Sequence, residues 1–225
     1  MERLHWELFE GVPAADLEAV LAIARRRTFK RGEVVFHQHD PGDSLHLVSA
    51  GRFAISARTE LGEESLLAIR FVGEVFGELA LVADGRRTAT VEALEPSETL
   101  AVYRDDFETL RTARPEIDRL LVVLLAHQLA RMDVLLSEAH HVSAELRVLR
   151  RLLDAAEAYG GAVAGTEIAL TQEQLASLAG ASRPTVNAVL ARERRRGTID
   201  LRRGCVAIAN PAALARNAGL RGAPR

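Results

Sequence analysis

Turn residues divide this chain more sharply than any other feature. In residues 28–103, short runs rich in Val, Phe, Ile and Leu are broken by Gly32, Pro41-Gly42, Gly51, Gly62, Gly73, Gly77 and Gly85; in residues 104–159 there is no glycine and one proline, Pro115. Turns at that frequency predict many short antiparallel strands closing into a barrel or jelly roll. Leu61-Gly62 is placed at the turn of a hairpin joining residues 53–57 to residues 66–71, with glycine supplying positive φ. Ahead of the strands, residues 12–26 carry helical spacing in Leu17, Val20, Leu21, Ile23 and Ala24, opened by Pro13 and Asp16.

The glycine-free stretch predicts a long helix over 115–142, with Pro115 in its first turn. Leu121, Leu125, Gln128, Met132, Leu135, Ala139 and Val142 follow at spacings of 4, 3, 4, 3, 4 and 3, the seam of a coiled coil. A second row (Leu120, Leu124, Leu129 and Leu136) is free to face the protein's own barrel, which leaves the first row for a second copy. A parallel homodimer through this helix is the expectation.

Composition limits what else the chain can be. With 225 residues, 48% hydrophobic and 27% charged, it has the make-up of a globular protein. The longest unbroken apolar run, residues 120–126, is short of the roughly 20 residues that span a bilayer. Residues 1–6 lack the basic start and apolar core of a secretory signal. Cys205 is the sole cysteine, so no intrachain disulfide and no cysteine-only metal site can form. These point to a cytoplasmic protein with no membrane segment. No nucleophile–base pair stands out, and the chain reads as a non-enzyme.

The net charge of −2 conceals a division. Residues 146–225 hold 13 arginines against 6 acids, a net of +7, while residues 1–145 hold 16 basic against 25 acidic residues, a net of −9. The basic third contains TQEQLASLAGASRPTVNAVLARER at residues 171–194. Ala176 is small enough for close helix approach, Gly180 suits a left-handed turn, and Val186, Val189 and Leu190 anchor a second helix on Leu175 and Leu178. Thr171 with Gln174 forms a capping-box pair, and Ser182 caps the second helix, where Pro184 costs no hydrogen bond. These offsets describe a DNA-binding helix-turn-helix. Arg183, Thr185, Asn187 and Ala188 occupy the exposed start of the recognition helix. Arg183 has the fork geometry to grip guanine, while Ser182, Thr185 and Asn187 suit phosphates or adjoining base edges. Arg192, Arg194, Arg195 and Arg196 supply phosphate anchors. Residues 198–201 and 205–209, joined by Arg202-Arg203-Gly204, form a wing with a basic tip.

Residues 76–90 read FGELALVADGRRTAT. Gly77, Glu78, Arg87 and Thr88 supply backbone donors, a carboxylate, a guanidinium and a hydroxyl, the groups an anion pocket needs. A surface loop with a Glu–Arg pair would contain the same types, and the residues alone leave that open. Together, the GEL…RTA cassette, the ASRPTVNAVL helix and the order of domains resemble the cyclic-AMP receptor protein/fumarate–nitrate regulator family over nearly the whole chain. The resemblance implies an α+β architecture: an N-terminal β-roll of the cyclic-nucleotide-binding jelly-roll type over 1–114, a dimerisation helix over 115–142, and a C-terminal winged helix-turn-helix over 143–225. It also implies a palindromic double-stranded DNA operator, RNA polymerase as a further partner, and cyclic AMP or a related cyclic nucleotide as effector. Gly77, Glu78, Leu79, Arg87 and Thr88 would hold the cyclic phosphate and ribose. The adenine positions fall on Met132 and Asp133; methionine offers adenine no useful hydrogen bond, so an effector-independent regulator is the alternative. In the recognition helix, Pro184 and Ala188 replace base-contacting residues of the best-known member, so the half-site should differ.

His37-Gln-His39 with Asp43 resembles the first motif of cupin metalloenzymes, but no second histidine motif follows; surface histidines, with no metal, are the expectation. A nucleotide-sensing module whose basic tail serves solubility is the remaining rival.

Overall fold

The computed structural model describes residues 12–60, 62–82 and 85–220, so residues 1–6 and Leu61, used above, lie outside the described part. The chain forms two compact units. One runs to Met132 without Ser65–Leu67, and the other comprises Ser65–Leu67 with Asp133 onward.

The first unit contains α1 (Ala14–Ile23), β1 (Arg25–Phe29), β2 (Val34–Phe36), β3 (Ser44–Ala50), β4 (Arg52–Arg58), β5 (Glu64–Phe71, apart from Ser65–Leu67), β6 (Val75–Phe76), α2 (Leu79–Val82), β7 (Thr90–Ala93), β8 (Ser97–Tyr103) and α3 (Arg104–Ala113). A 3-10 turn, Pro115–Ile117, then leads into α4 (Asp118–His141). Two four-stranded sheets, ordered β1-β8-β3-β6 and β2-β7-β4-β5, make the predicted jelly roll. β3 is its centre: Ser44 to Val48 are all buried, so the strand is covered on both faces. Leu45 and Leu47 join Val20, Phe107, Ile117 and Leu124 on the helix side. Val48 turns inward to Phe29, Phe53, Phe76 and Val91.

Three expectations need correction here. The first helix ends at Ile23, not 26; Ala24 is already extended, and Arg25 and Arg26 pair with Ala101 and Leu100 of β8, so the sheet ladder claims them. The short helix α2 interrupts what reads as continuous strand texture. On α4 the two apolar rows do not separate as expected. Leu121 is buried with Leu120 and Leu124, whereas Leu129 and Leu136 are about 60% exposed. Gln128 accepts a hydrogen bond from Arg70 at 3.1 Å. The exposed apolar row is therefore Val122, Leu129, Met132 and Leu136, with the half-buried Leu125 between them: the same heptad spacing, rotated. Pro115–His141 is also long and apolar enough to cross a bilayer by length and mean hydropathy (1.6), which a count of unbroken runs overlooks because His127, Gln128 and Arg131 interrupt it.

The second unit continues α4 through Ser143, whose hydroxyl accepts from Leu146 N and caps α5 (Ala144–Ala158). β9 (Glu167–Ile168), α6 (Gln172–Ala179), α7 (Arg183–Arg195), β10 (Ile199–Arg202), β11 (Cys205–Ile208) and α8 (Pro211–Asn217) complete it. The wing has a third strand, in the order β10-β11-β9. Val148, Leu149, Leu152, Leu175, Val186 and Leu190 close the core.

Glu193 is fully buried at the end of α7. It accepts from Asn217 Nδ2 at 2.7 Å, from Thr198 Oγ1 at 2.9 Å and from Arg196 at 3.0 Å, tying α7 to the wing and to α8. Burial alone would raise its pKa; the hydrogen bonds from Asn217 and Thr198 and the charge of Arg196 outweigh burial and hold it below the ordinary value of 4.5. A depressed carboxylate contributes stability above its unfolded pKa and loses it as pH falls through the folded one. The melting temperature should therefore stay level from pH 7 to about 5 and then fall, and Glu193→Gln should lose about 1–3 kcal/mol at pH 7 while flattening that acid limb. Thermal melts of both proteins across pH 3–7 check this; parallel acid limbs would contradict it.

Candidate functional site

β6 delivers the chain into Gly77, whose φ is +79°. A Cβ there would lie 2.6 Å from Arg87 Nη1 and 2.9 Å from the Ser44 carbonyl oxygen, so only glycine fits. Arg87, only 4% exposed, crosses from the neighbouring loop. Its Nη1 donates to Ser44 O at 2.6 Å and to Gly77 O at 3.3 Å; its Nη2 donates to Ser44 Oγ at 2.9 Å and to Asp43 Oδ1 at 3.1 Å. The guanidinium stacks 3.9 Å over the ring of Phe36. Its Nε is buried with no hydrogen-bond partner. Burial pulls the Arg87 pKa down, opposed by Asp43.

Glu78 is also buried, and burial pushes its carboxyl above the ordinary range against the charges of Arg70 and Arg87. Leu79 and Thr88 are exposed beside this cradle. Gly77, Glu78 and Arg87 are thus brought together, while Met132 and Asp133 stand exposed on α4. Sequence reasoning missed the residues that hold Arg87, namely Asp43, Ser44 and, behind them, His46. It also missed Arg70, which is buried, pairs with Glu74 at 3.2 Å and reaches Gln128. The one available signal was Ser44-x-His46, two polar residues on the same face of a strand, interleaved with the apolar Leu45, Leu47 and Val48. Among the described residues no group of three or more His, Cys, Asp and Glu could hold a metal ion. Asp43, the third member of the His37/His39 motif, is engaged by Arg87.

In the second unit the helix-turn-helix is formed as its sequence dictates. Thr171 accepts from Gln174 N and Gln174 reaches back to Thr171 N, a complete capping box. Gly180 ends α6 in the left-handed region, and Ser182 caps α7 by accepting from Thr185 N. Thr171, Ser182, Arg183 and Asn187 are exposed, Arg183 lying 3.9 Å from Glu173. Thr185 is half-buried and shares a 2.8 Å hydrogen bond with the Ser182 hydroxyl. Arg192 is turned inward: it pairs with Glu145 at 2.8 Å, which holds its proton above the ordinary range. Arg202 pairs with Glu167, while Arg203 is exposed at the wing tip.

Residues 26–114 match the cyclic nucleotide-binding domain family and residues 146–217 the Crp-like helix-turn-helix domain family. The chain is 34% identical to a CRP-like cAMP-activated global transcriptional regulator of Mycobacterium tuberculosis, over 94% of this chain and 96% of that protein. It is 34% identical to the cyclic AMP receptor protein of Thermus thermophilus, over 92% and 94%. The crystal structure of the Thermus thermophilus catabolite activator protein aligns with a TM-score of 0.53 at 32% identity, covering 95% of this chain and 99% of that one. With a β-roll carrying a cyclic-nucleotide cassette and a winged helix-turn-helix in one chain, this protein belongs to the cyclic-AMP receptor protein/fumarate–nitrate regulator family of DNA-binding transcription regulators.

Proposed function

We propose that this regulator is a cytoplasmic homodimer joined through α4, that cyclic AMP is its effector, and that its two α7 helices read a palindromic operator about one helical turn apart. It performs no chemistry and needs no metal; RNA polymerase is the further partner this reading leaves room for. The observation that carries the effector assignment is the buried Arg87 guanidinium pinned beside Gly77, a preformed positive cradle beneath the cassette. The names of the mycobacterial and Thermus relatives, both referring to cyclic AMP, support the nucleotide. Gly77, Glu78, Leu79, Arg87 and Thr88 would take the phosphate and ribose, with Met132 and Asp133 on the base side.

A second reading has its own observation. All four η hydrogens of Arg87 are already donated within the chain, which suits a cradle that is self-filled and a regulator that needs no effector. Calorimetric titration with cyclic AMP, against cyclic GMP, separates the two. Saturable binding that raises operator affinity supports the first; no heat, with operator binding intact, supports the second.

On the DNA side, Arg183, Asn187 and Thr185 would meet base edges, while Thr171, Ser182, Arg202 and Arg203 would meet phosphates. Arg192, being paired with Glu145, would set the pose of α7. Arg183→Ala should cost about 1–3 kcal/mol on the selected operator while leaving salt-sensitive nonspecific binding in place. Competition against random DNA reads this directly. An unchanged specificity ratio would sink the assignment.

A further inference from the structure

His46 is a polar residue in the apolar interior of the β-roll. It is 3% exposed on β3, stacked on Phe76 at 5.0 Å between ring centroids, with Phe29 and Phe36 also against it. Such a position costs stability unless both ring nitrogens are satisfied. They are: Nδ1 lies 3.0 Å from Thr99 Oγ1 and Nε2 lies 3.2 Å from Ser44 Oγ. The Ser44 hydroxyl donates to Asp43 Oδ1 at 2.8 Å, and its oxygen accepts from Arg87. The single Ser44 proton goes to the carboxylate, the stronger acceptor. His46 must then donate from Nε2 to Ser44 Oγ and accept at Nδ1 from the Thr99 hydroxyl. Burial, with the nearby charges of Arg87 and Arg27, pushes its pKa down to about 3, so the ring is neutral and that tautomer is available.

Every link in this chain has one direction. Thr99 fixes His46, His46 fixes the Ser44 rotamer, and Ser44 presents one oxygen to Arg87 while aligning Asp43 for the same guanidinium. Nothing in the cassette itself holds Arg87 apart from the long contact to Gly77 O. We infer that His46 is a positioning residue for the effector site, acting through Ser44 to hold the Arg87 guanidinium in place for an anionic ligand of the cyclic-phosphate class. This inference rests on the effector reading above for its ligand, but the positioning itself exists without one.

The test compares wild type with His46→Phe, which keeps the ring stack and removes both nitrogens, with His46→Gln, whose amide can still donate to Ser44, and with Thr99→Val. Two readouts are taken. In unliganded protein, the guanidinium N–H resonances of Arg87, assigned by their loss in Arg87→Lys, report whether the side chain is held. They should be slowly exchanging in wild type, broadened away in His46→Phe, weakened in Thr99→Val and retained in His46→Gln. By calorimetry, His46→Phe should bind cyclic AMP and cyclic GMP more weakly by one common factor of about ten, because only the shared phosphate is addressed, with recovery in His46→Gln.

Sharp Arg87 signals in a folded His46→Phe protein would overturn the inference, as would wild-type affinity in that variant. If His46→Phe does not fold, Thr99→Val carries the same comparison with no change in core volume. If wild type binds neither nucleotide, the effector reading fails, and the Arg87 resonances alone decide the positioning role.

Discussion

Gly77→Ala should abolish tight cyclic-nucleotide binding and lower the stability of the β-roll by about 2–5 kcal/mol, combining left-handed strain with overpacking. The strain comes from φ of +79° and the overpacking from a Cβ 2.6 Å from Arg87 Nη1 and 2.9 Å from a backbone oxygen. Arg87 is the nominally flexible neighbour. It cannot yield, because moving Nη1 breaks its bonds to Ser44 and Gly77 and disturbs those to Asp43. Gly62→Ala is the matched control. Its φ is +84°, yet nothing lies within 4 Å of the added methyl, so it incurs the strain without the collision. Denaturant unfolding of both variants, with calorimetry on each, separates the effects. Equal losses in the two would show that the cradle relaxes around a methyl group.

The second large effect concerns α4. Leu129→Asp combined with Leu136→Asp should convert the protein into a monomer at micromolar concentration and weaken operator binding by several hundredfold. Burying a leucine is worth about 1.5–3 kcal/mol; two per protomer, doubled by symmetry, come to about 6–12 kcal/mol of association energy. The comparison variant is Leu135→Asp, on the row that sequence spacing favours but that is half-buried in the structure. Sedimentation of the two proteins decides between the registers. A dimeric double variant beside a monomeric Leu135→Asp would restore the original seam.

That misplaced row shows where sequence ran out. Spacing identified a helix with an apolar stripe, but two apolar rows lie side by side on α4. Which of them is covered depends on contacts that spacing does not contain. Leu121 is drawn in beside Ile117 and Phe107, and Gln128 is captured by Arg70, 58 residues away. The helix-turn-helix was legible because its signals are local: Thr171 with Gln174, Gly180, and Ser182 with Thr185 all act within a few residues. The cassette was legible in part. Gly77 and Arg87 carry the pattern, but the groups that seat Arg87 are 43 and 44 positions distant: Ser44 looked like an ordinary strand residue, and Asp43 was grouped with His37 and His39 instead. β9, at two residues, is too short to show any period, and it exists only because β11 offers it an edge.

A β-strand resists stretching far more than it resists twisting, and β3 is gripped at both faces. Its first residue, Ser44, belongs to the cradle; Leu45 and Leu47, side by side on the opposite face, are packed with Leu120, Leu121 and Leu124 at the root of α4. The seat of Arg87 and the root of α4 are therefore adjoining stretches of one strand, with Ser44 holding the guanidinium and Leu45, the very next residue, packed in the cluster that holds Leu120, Leu121 and Leu124. In mechanical terms the cradle and the helix root share a single rail.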